Sequence, residues 1–313
     1  MIINISTRTD IPAYYSQWFY NRIREGYVLV RNPYCPEQVL KYQLSPDVVD
    51  IFCFCTKNPE PMLDRLDEIK DFSQFWSVTI TPYGKEIEPN VPDKEEVMES
   101  FRRLSKKAGI PAISWRYDPI FITATYSLDF HINTFSHMAK TLSGCTDQCV
   151  ISFIDLYAKT KRNFPNVREV TGPEQEKLVQ EFVGIGRQYG ITIRTCCENT
   201  SLERFGADVS GCMTKPVLER AIGCSLSIPK SQKPARAQCS CLLGNDIGAY
   251  NTCPHGCLYC YANYDRKTVL DNLKLHDVNS PFLIGSVREN DIIKEARQVS
   301  YRDGQISLFP FLF

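Results

Sequence analysis

Short apolar segments rich in β-branched and aromatic residues alternate with helix-forming stretches along much of the chain. The strand-like segments are 2–7, 27–33, 49–56, 75–81, 110–117, 149–157 and 191–196. They are apolar almost throughout, as expected for strands buried on both faces of a parallel sheet. The intervening segments 94–108, 129–142 and 173–189 carry apolar residues at helical spacing. This alternation predicts βα units assembled into a parallel sheet or barrel.

Length, charge and hydropathy limit the class of protein. The chain has 313 residues, which suits either two domains or one α/β barrel. Lys and Arg total 36, as do Asp and Glu, so a globally basic nucleic-acid binder is disfavoured, although a local basic patch is not. No apolar run approaches the roughly 18 residues of a membrane helix. The first residues lack the pattern of a signal peptide, so we expect a cytoplasmic protein without a membrane partner.

Polar residues follow the predicted strands where each strand ends. In a βα barrel these carboxyl ends form the active-site face. We therefore expect the following residues to line a site: Thr9, Asp10, Lys57, Arg116, Asp118 and Arg194. An internal ion pair between Arg116 and Asp118 is the alternative for those two residues.

Cysteine is concentrated late in the chain. There are 14 cysteines in all. The late group comprises Cys196, Cys197, Cys212, Cys224, Cys239, Cys241, Cys253, Cys257 and Cys260. Disulfides are rare in the reducing cytosol. A dense group of cysteines in a cytosolic protein therefore indicates metal binding or catalysis.

The segment CPHGCLYC places Cys253, Cys257 and Cys260 in a Cys-x3-Cys-x2-Cys spacing. Three thiolates on one tight loop can hold three irons of a 4Fe–4S cluster and leave the fourth iron open. A zinc site would need a fourth ligand, such as His255 or a distant cysteine. The spacing favours iron, and we expect His255 to be a loop residue.

This loop resembles the cluster loop of radical S-adenosylmethionine (SAM) enzymes, and Tyr259 stands at their aromatic position. The run through Tyr261, Ala262 and Asn263 is similar to the branch that contains spore photoproduct lyase. The resemblance implies a 4Fe–4S cluster on the three cysteines, SAM on the open iron and Tyr259 against the adenine. It also implies reductive cleavage of SAM to a 5′-deoxyadenosyl radical that abstracts hydrogen from a substrate. An electron donor such as flavodoxin or ferredoxin would then be a partner.

The position of the loop departs from that superfamily, in which it follows the first strand. Here it begins at Cys253, while earlier segments such as ISWRYDPI resemble later strands of the lyase branch. The resemblance implies a circularly permuted (β/α) barrel of six or more parallel strands, with 246–250 as its first strand. The whole chain also resembles the uncharacterised family called domain of unknown function 1848. We expect 1–198 to form the main part of the barrel, 199–265 to be an iron–sulfur segment that completes it, and 266–313 to be a helical or irregular tail.

Within that resemblance the strand-end residues acquire candidate roles in SAM binding. Thr9 and Asp10 could hydrogen-bond the ammonium group of SAM. Its carboxylate could meet Lys57, Arg116 or Arg194, because Arg pairs with carboxylates in a bidentate geometry. Asp118 could hold the ribose hydroxyls.

Four further cysteines, Cys197, Cys212, Cys239 and Cys241, could bind a second cluster. A structural zinc ion and ordinary reduced thiols are the alternatives. Cys196 and Cys224 could substitute for members of the set.

We expect a radical SAM enzyme, with a non-catalytic iron–sulfur or zinc protein that senses redox state or binds a partner as the alternative. The segment QISLF resembles a sliding-clamp docking motif through Gln305, Leu308 and Phe309, although a tail that packs on the barrel would also explain it. With the resemblance to a lesion-repair lyase, it favours a nucleic-acid substrate over a small molecule or peptide. Lys230, Lys233 and Arg236 form a basic loop that could contact phosphates.

Overall fold

The computed structural model describes residues 1–165, 167–229, 239–242 and 244–303. The strands are β1 (Ile2–Asn4), β2 (Tyr27–Arg31), β3 (Gln38–Gln43), β4 (Ile51–Thr56), β5 (Gln74–Thr79), β6 (Ile113–Ile120), β7 (Gln148–Phe153), β8 (Thr192–Thr195), β9 (Asn245–Asp246) and β10 (Ile292–Glu295). The α-helices are α1 (Ile11–Tyr14), α2 (Ser16–Glu25), α3 (Glu60–Leu63), α4 (Lys94–Ala108), α5 (Leu128–Leu142), α6 (Ala158–Asn163), α7 (Gly172–Tyr189), α8 (Lys215–Ile222) and α9 (Arg266–Leu273). Short 3₁₀ turns cover Leu66–Ile69, Ile110–Ala112 and Thr200–Phe205.

Seven strands form one sheet in the order β8-β7-β6-β5-β4-β1-β9. Every neighbouring pair in this sheet is parallel. The predicted α/β fold with six or more parallel strands is therefore confirmed. Within the described residues, β8 and β9 stand at opposite edges of the sheet and do not pair with each other.

The strand nearest the three-cysteine loop lies beside the first strand of the chain. Ile3 pairs with Asn245, and Asn4 pairs with Asp246. The Asp246 carboxylate also accepts a hydrogen bond from the backbone N–H of Thr7 at 2.7 Å. The first strand of the chain and a strand near its end are therefore neighbours at one edge of the sheet.

Local signals set the ends of the long helices. Asp93 caps α4 by accepting from the backbone N–H of Glu95, and Gly109 follows its last residue. Thr171 and Glu174 form a capping box at the start of α7, and Gly190 ends that helix in the left-handed conformation. Such caps satisfy backbone groups that the helix leaves unpaired. The ranges 94–108 and 173–189 that the sequence predicts agree with these helices.

Stacked aromatic rings join the sheet to its helices. Phe54 of β4 stacks on Trp76 of β5 with ring centroids 4.0 Å apart. Phe135 of α5 lies between Trp115 of β6 at 4.8 Å and Phe182 of α7 at 3.9 Å. Buried aromatic pairs contribute about 0.5–1.5 kcal/mol each beyond their area burial. This core holds the carboxyl ends of the strands in fixed positions.

A second, three-stranded sheet has the order β10-β3-β2. β2 and β3 pair antiparallel, while β10 pairs parallel with β3 through Ile292 and Gln38. The indole of Trp18 also donates to the backbone oxygen of Ser280 at 2.9 Å. The described part of the tail is therefore packed on the N-terminal hairpin and α2. None of the helices in the described ranges is long and apolar enough to cross a membrane.

Candidate functional site

A cavity of about 350 Å³ lies at the carboxyl ends of the parallel strands. Its walls come from the carboxyl-terminal parts of β4, β5, β6 and β7 and from the segments that follow β1, β4, β7, β8 and β9. Among the residues that the sequence predicts for the site, the lining includes Thr9, Asp10, Lys57, Arg116, Asp118, Cys197, Cys212, Cys239, Cys241, Cys253, Cys257, Tyr259 and Cys260. Residues distant in sequence thus converge on one space.

The three-cysteine loop is clamped by the segment after β5. Leu258 donates its backbone N–H to the Ile87 oxygen at 3.0 Å, and Asn90 donates to the His255 oxygen at 3.1 Å. The Asn90 side chain donates to the Pro254 oxygen at 2.7 Å. Gly256 takes a positive φ of 73°, a conformation that favours glycine. These contacts hold the loop without using its thiols.

The thiols of Cys253, Cys257 and Cys260 all line the cavity. Burial raises the pKa of Cys253, and it raises the pKa of Cys257 to about 12 although the Lys57 ammonium opposes the change. Nearby thiols add to these shifts, because a second thiolate close by disfavours the first. A metal that binds here has to displace thiol protons. Among the described residues, no group of three or more His, Cys, Asp or Glu side chains is already arranged around a single ion position.

His255 belongs to the three-cysteine loop, and its buried side chain forms hydrogen bonds with other side chains. Its Nε2 donates to Oδ2 of Asp10 at 2.8 Å, because a carboxylate can only accept. Its Nδ1 lies 3.0 Å from the Tyr14 hydroxyl. Both ring nitrogens therefore have protein partners, as expected for a loop residue.

Asp10 accepts more hydrogen bonds than the one from His255. Its carboxylate accepts from the Thr56 hydroxyl at 2.7 Å and from the backbone N–H of Lys57 at 2.8 Å. It also caps α1 by accepting from the Ala13 N–H at 3.1 Å. These contacts position the loops after β1 and β4, and they compete with the predicted contact to a SAM ammonium group.

The sequence analysis missed Glu88, a buried carboxylate beneath the cysteine loop. Glu88 accepts from Lys57 at 2.9 Å, from Lys94 at 2.5 Å and from Thr81 at 2.6 Å. The Tyr259 hydroxyl also donates to it. Burial alone would raise the pKa of Glu88, but the two ammonium groups lower it to about 2. Glu88 lies seven residues after Thr81, the last residue of the strand-like segment 75–81, and no local pattern there identifies the carboxylate.

Tyr259, predicted to face an adenine, has its ring 5.6 Å from the Lys57 ammonium and 6.1 Å from the Tyr83 ring. The ring lines the cavity while the hydroxyl is held by Glu88. Glu88 therefore positions both Lys57 and Tyr259.

Arg116 and Asp118 form an ion pair with each other, which is the alternative that the sequence analysis leaves open for these two residues. Asp118 also accepts from the Ser152 hydroxyl. Burial would lower the pKa of Arg116, but Asp118 raises it well above its ordinary value, with further contributions from Cys212 and Cys196. Arg116 is thus a largely buried cation, with 13% of its side chain exposed, that faces a second group of cysteines.

Arg194 does not belong to the cavity lining. Its guanidinium pairs with Asp208 at 2.7 Å and donates to the Ser210 hydroxyl at 3.2 Å. It is therefore committed to the loop beside β8. The role of Arg194 as a ligand of SAM stays a prediction.

In the second group of cysteines, sulfur contacts link Cys212 to Cys241 and to Cys196, which the sequence analysis names as a possible substitute. Cys212 lies 3.2 Å from Cys241 and 3.6 Å from Cys196, measured between sulfurs. The hydrogen bond with Cys196 lowers the pKa of the Cys212 thiol, but the one with Cys241 and burial raise it to about 12. Cys197 adopts a positive φ of 60° and shares a neighbouring cavity of about 390 Å³ with Cys239 and Cys241. Cys196, rather than Cys197, makes the sulfur contact.

Two further sets of predicted residues lie outside the described residues. They are the basic loop of Lys230, Lys233 and Arg236, and the docking motif of Gln305, Leu308 and Phe309.

Comparison with known proteins places the chain in a family without assigning an activity. A cysteine-to-alanine mutant of spore photoproduct lyase is similar at 16% sequence identity and a TM-score of 0.36, over 45% of this chain and 50% of that chain. No curated protein sequence matches significantly. The family model described as domain of unknown function (DUF1848) matches residues 2–262, and the chain belongs to that family.

Proposed function

We propose that this protein is a radical SAM enzyme whose 4Fe–4S cluster is held by Cys253, Cys257 and Cys260. The observation that carries the proposal is the placement of all three cysteines on the wall of a cavity at the carboxyl edge of a parallel sheet. When bound, the reduced cluster would supply the electron that cleaves SAM and generates a 5′-deoxyadenosyl radical. Three thiolates leave one iron open for such a ligand.

The cavity suits a polar cofactor. Its volume of about 350 Å³ falls within the range of small-molecule sites, about 300–1,000 Å³. Ser6 Oγ, Thr9 Oγ1 and Asn263 Oδ1 belong to lining residues, and each is a buried atom without a hydrogen-bond partner in the structure. Buried polar atoms normally have partners. A bound SAM molecule would supply them, which keeps Thr9 in the role that the sequence predicts.

Asp10 and Glu88 position the segments that form the cavity, and we assign them no part in the chemical reaction. Asp10 ties the cysteine loop to β1 and β4 through His255 and Thr56. Glu88 holds Tyr259 and Lys57 beside the loop. The Lys57 ammonium, which also faces Cys257, favours the thiolate that binds iron.

We also propose that the fold is a circular permutation of the radical SAM arrangement. In that superfamily the cluster loop follows the first strand, and here it follows β9. The parallel pairing of β9 with β1 supports the proposal, because it gives β9 the place next to the strand that would otherwise come second.

Nucleic acid is the substrate class that we propose. Tyr250, Tyr261 and Tyr264 are exposed beside the cysteine loop, and Tyr261 also lines the cavity. The guanidinium groups of Arg8 and Arg162 lie 5.5 Å and 4.8 Å from the rings of Tyr250 and Tyr264. Exposed aromatic rings interleaved with cations are typical of surfaces that stack bases and contact phosphates. An electron donor such as flavodoxin or ferredoxin, and a sliding clamp, are partners within the same proposal.

The test is anaerobic reconstitution with iron and sulfide, then reduction in the presence of SAM and measurement of 5′-deoxyadenosine. The wild-type chain should form it, and the variant with Cys253, Cys257 and Cys260 all replaced by Ala should not. Cys224→Ala is the matched control, because Cys224 does not line the cavity and should not be needed. A wild-type chain that holds its cluster yet forms no 5′-deoxyadenosine would contradict the proposal and favour a non-catalytic iron–sulfur protein.

A further inference from the structure

We propose that Cys196, Cys212, Cys239 and Cys241 form a second metal site, which holds a single thiophilic divalent ion such as Zn²⁺ in a tetrahedron of thiolates. Two of its cysteines lie in the segment that follows β8 and two lie shortly before β9, whereas the three-cysteine loop follows β9. This second site goes beyond the proposed function, because SAM cleavage at the first loop does not require it.

The sulfur separations favour a single ion. The Cys212 sulfur lies 3.2 Å from Cys241 and 3.6 Å from Cys196. Four thiolates about 2.3 Å from one zinc ion stand about 3.8 Å apart at the corners of a tetrahedron. A cube of four irons and four sulfides is larger and spreads its thiolates further. The two observed sulfur separations fall short of this value by about 0.6 Å and 0.2 Å, so small side-chain movements would admit one ion.

Cys239 is assigned as the fourth ligand because it lines the same cavity as the other three cysteines. It is buried, and its sulfur accepts a hydrogen bond from the backbone N–H of Cys241 at 3.4 Å. The backbone of this short Cys-x-Cys segment therefore already donates a hydrogen bond to one of its own sulfurs. Two adjacent thiolates from one segment and two from separate loops complete a closed set of four ligands, as in structural zinc sites.

The surrounding backbone is built around these sulfurs. Met213 donates its N–H to the Cys241 sulfur at 3.3 Å, and Leu242 donates to the Met213 oxygen at 2.8 Å. Gly211 has a φ of 110°, and a Cβ atom there would lie 3.4 Å from the Cys241 sulfur. Glycine therefore lets the loop after β8 pass close to the thiol.

A nearby cation, Arg116, offsets part of the charge. Four thiolates around a divalent ion carry a net charge of minus two, which is costly away from water. The Arg116 side chain is only 13% exposed, and its guanidinium interacts electrostatically with Cys196 and Cys212. Binding would release four thiol protons, with no change in the oxidation state of metal or sulfur.

The experiment starts from the chain in which Cys253, Cys257 and Cys260 are all Ala, so that the first loop contributes no metal. Protein purified without oxygen is analysed for zinc, iron and acid-labile sulfide, and Co²⁺ is exchanged in to give the visible spectrum of a tetrahedral thiolate site. We expect one ion per chain and no labile sulfide. No bound metal, or several irons with sulfide, would overturn the proposal.

Two neighbouring cysteines give a matched comparison in the same background. Cys196→Ser should lower the zinc affinity by more than about 100-fold, which exceeds the loss expected from a residue that only supports a ligand. Cys197→Ser should leave it unchanged. Equal affinities in the two variants would refute the assignment of Cys196.

A second measurement needs no substitution in the second group of cysteines. A chelator is added to the same triple-alanine chain, and cysteines that become reactive are alkylated and identified by mass spectrometry. Removal of the ion should expose Cys196, Cys212, Cys239 and Cys241 together. If these cysteines are alkylated to the same extent with and without the chelator, the proposed metal site is wrong. Since this chain cannot cleave SAM, none of these results depends on the proposed enzyme activity.

Discussion

The carboxylate of Asp10 lies 2.8 Å from Nε2 of His255, although 245 residues separate them in the chain. This contact ties the loop after β1 to the middle of the three-cysteine loop. It is buried, with both side chains almost fully removed from solvent. A hydrogen bond of this kind sets where the three thiols stand relative to the rest of the sheet edge.

Asp10→Asn should loosen the cysteine loop, because an amide cannot accept all the hydrogen bonds that the carboxylate accepts. We expect the free energy of unfolding to fall by about 1–3 kcal/mol. Iron in the reconstituted protein should also be lost faster to a chelator. Asp93→Asn is the control, since Asp93 caps α4 away from the cavity and Asn is an equally good cap. Iron loss at the wild-type rate in Asp10→Asn would contradict this role.

Glu88→Gln should destabilise the protein at neutral pH, because it leaves the Lys57 and Lys94 ammonium groups without their carboxylate. Removing one partner of a buried ion pair costs about 3–5 kcal/mol. Urea denaturation measures this change. Glu95→Gln, at an exposed residue near the start of α4, should have little effect.

The same carboxylate predicts acid sensitivity. The pKa of Glu88 is about 2 in the folded protein against an ordinary value of 4.5, so its stabilisation is complete above pH 4.5. It is lost as the pH falls from 4.5 through about 2, and it amounts to about 3 kcal/mol. Glu88→Gln should remove this part of the pH dependence. An unchanged slope in the variant would refute the assignment.

His131 predicts a separate change at higher pH. Its ring lies 2.9 Å from both the Tyr117 hydroxyl and the Phe121 oxygen, and burial lowers its pKa from 6.5 to about 4. The unfolded chain therefore binds a proton that the folded chain does not, so stability falls as the pH drops from 6.5 through about 4. His131→Gln should abolish this dependence at some cost in stability. His137→Gln, on the exposed face of the same helix, should keep it.

Replacing Tyr250 and Tyr264 together by Ala should weaken binding of single-stranded nucleic acid. Stacking contributes about 1–3 kcal/mol per base, so the loss should be about 5-fold or more. Tyr34→Ala is the control, because Tyr34 is 90% exposed on the β2–β3 hairpin. Affinity should be measured over a salt series, since phosphate contacts weaken as salt rises. Absence of binding at low salt, with SAM and intact clusters present, would move the substrate proposal to a small molecule.

Local sequence patterns predicted the helices and the class of sheet. Apolar residues at helical spacing identified 94–108 and 173–189, where α4 and α7 lie, because caps and periodicity are properties of neighbouring residues. The apolar strands indicated a parallel sheet for the same reason. Glu88 escaped notice because its importance comes from Lys57, Lys94 and Tyr259, which reach it from three other elements.

The cysteines show the same division. Spacing alone singled out Cys253, Cys257 and Cys260, since a short loop brings closely spaced side chains together whatever the rest of the chain does. Spacing could not choose between Cys196 and Cys197, because that choice depends on the direction in which the backbone leaves β8. The structure brings Cys196 to Cys212 and gives Cys197 a left-handed φ of 60°.

The sequence by itself determined the alternation of strands and helices, the helix ends and the three-thiol loop, all of which depend on residues close together in the chain. Only the tertiary structure decided that β9 lies beside β1, that Asp10 meets His255 and that Arg116 faces a second cysteine group. These contacts join residues far apart in the chain. The physical reason is that they form only after the strands have settled into one sheet, whose order no local preference specifies.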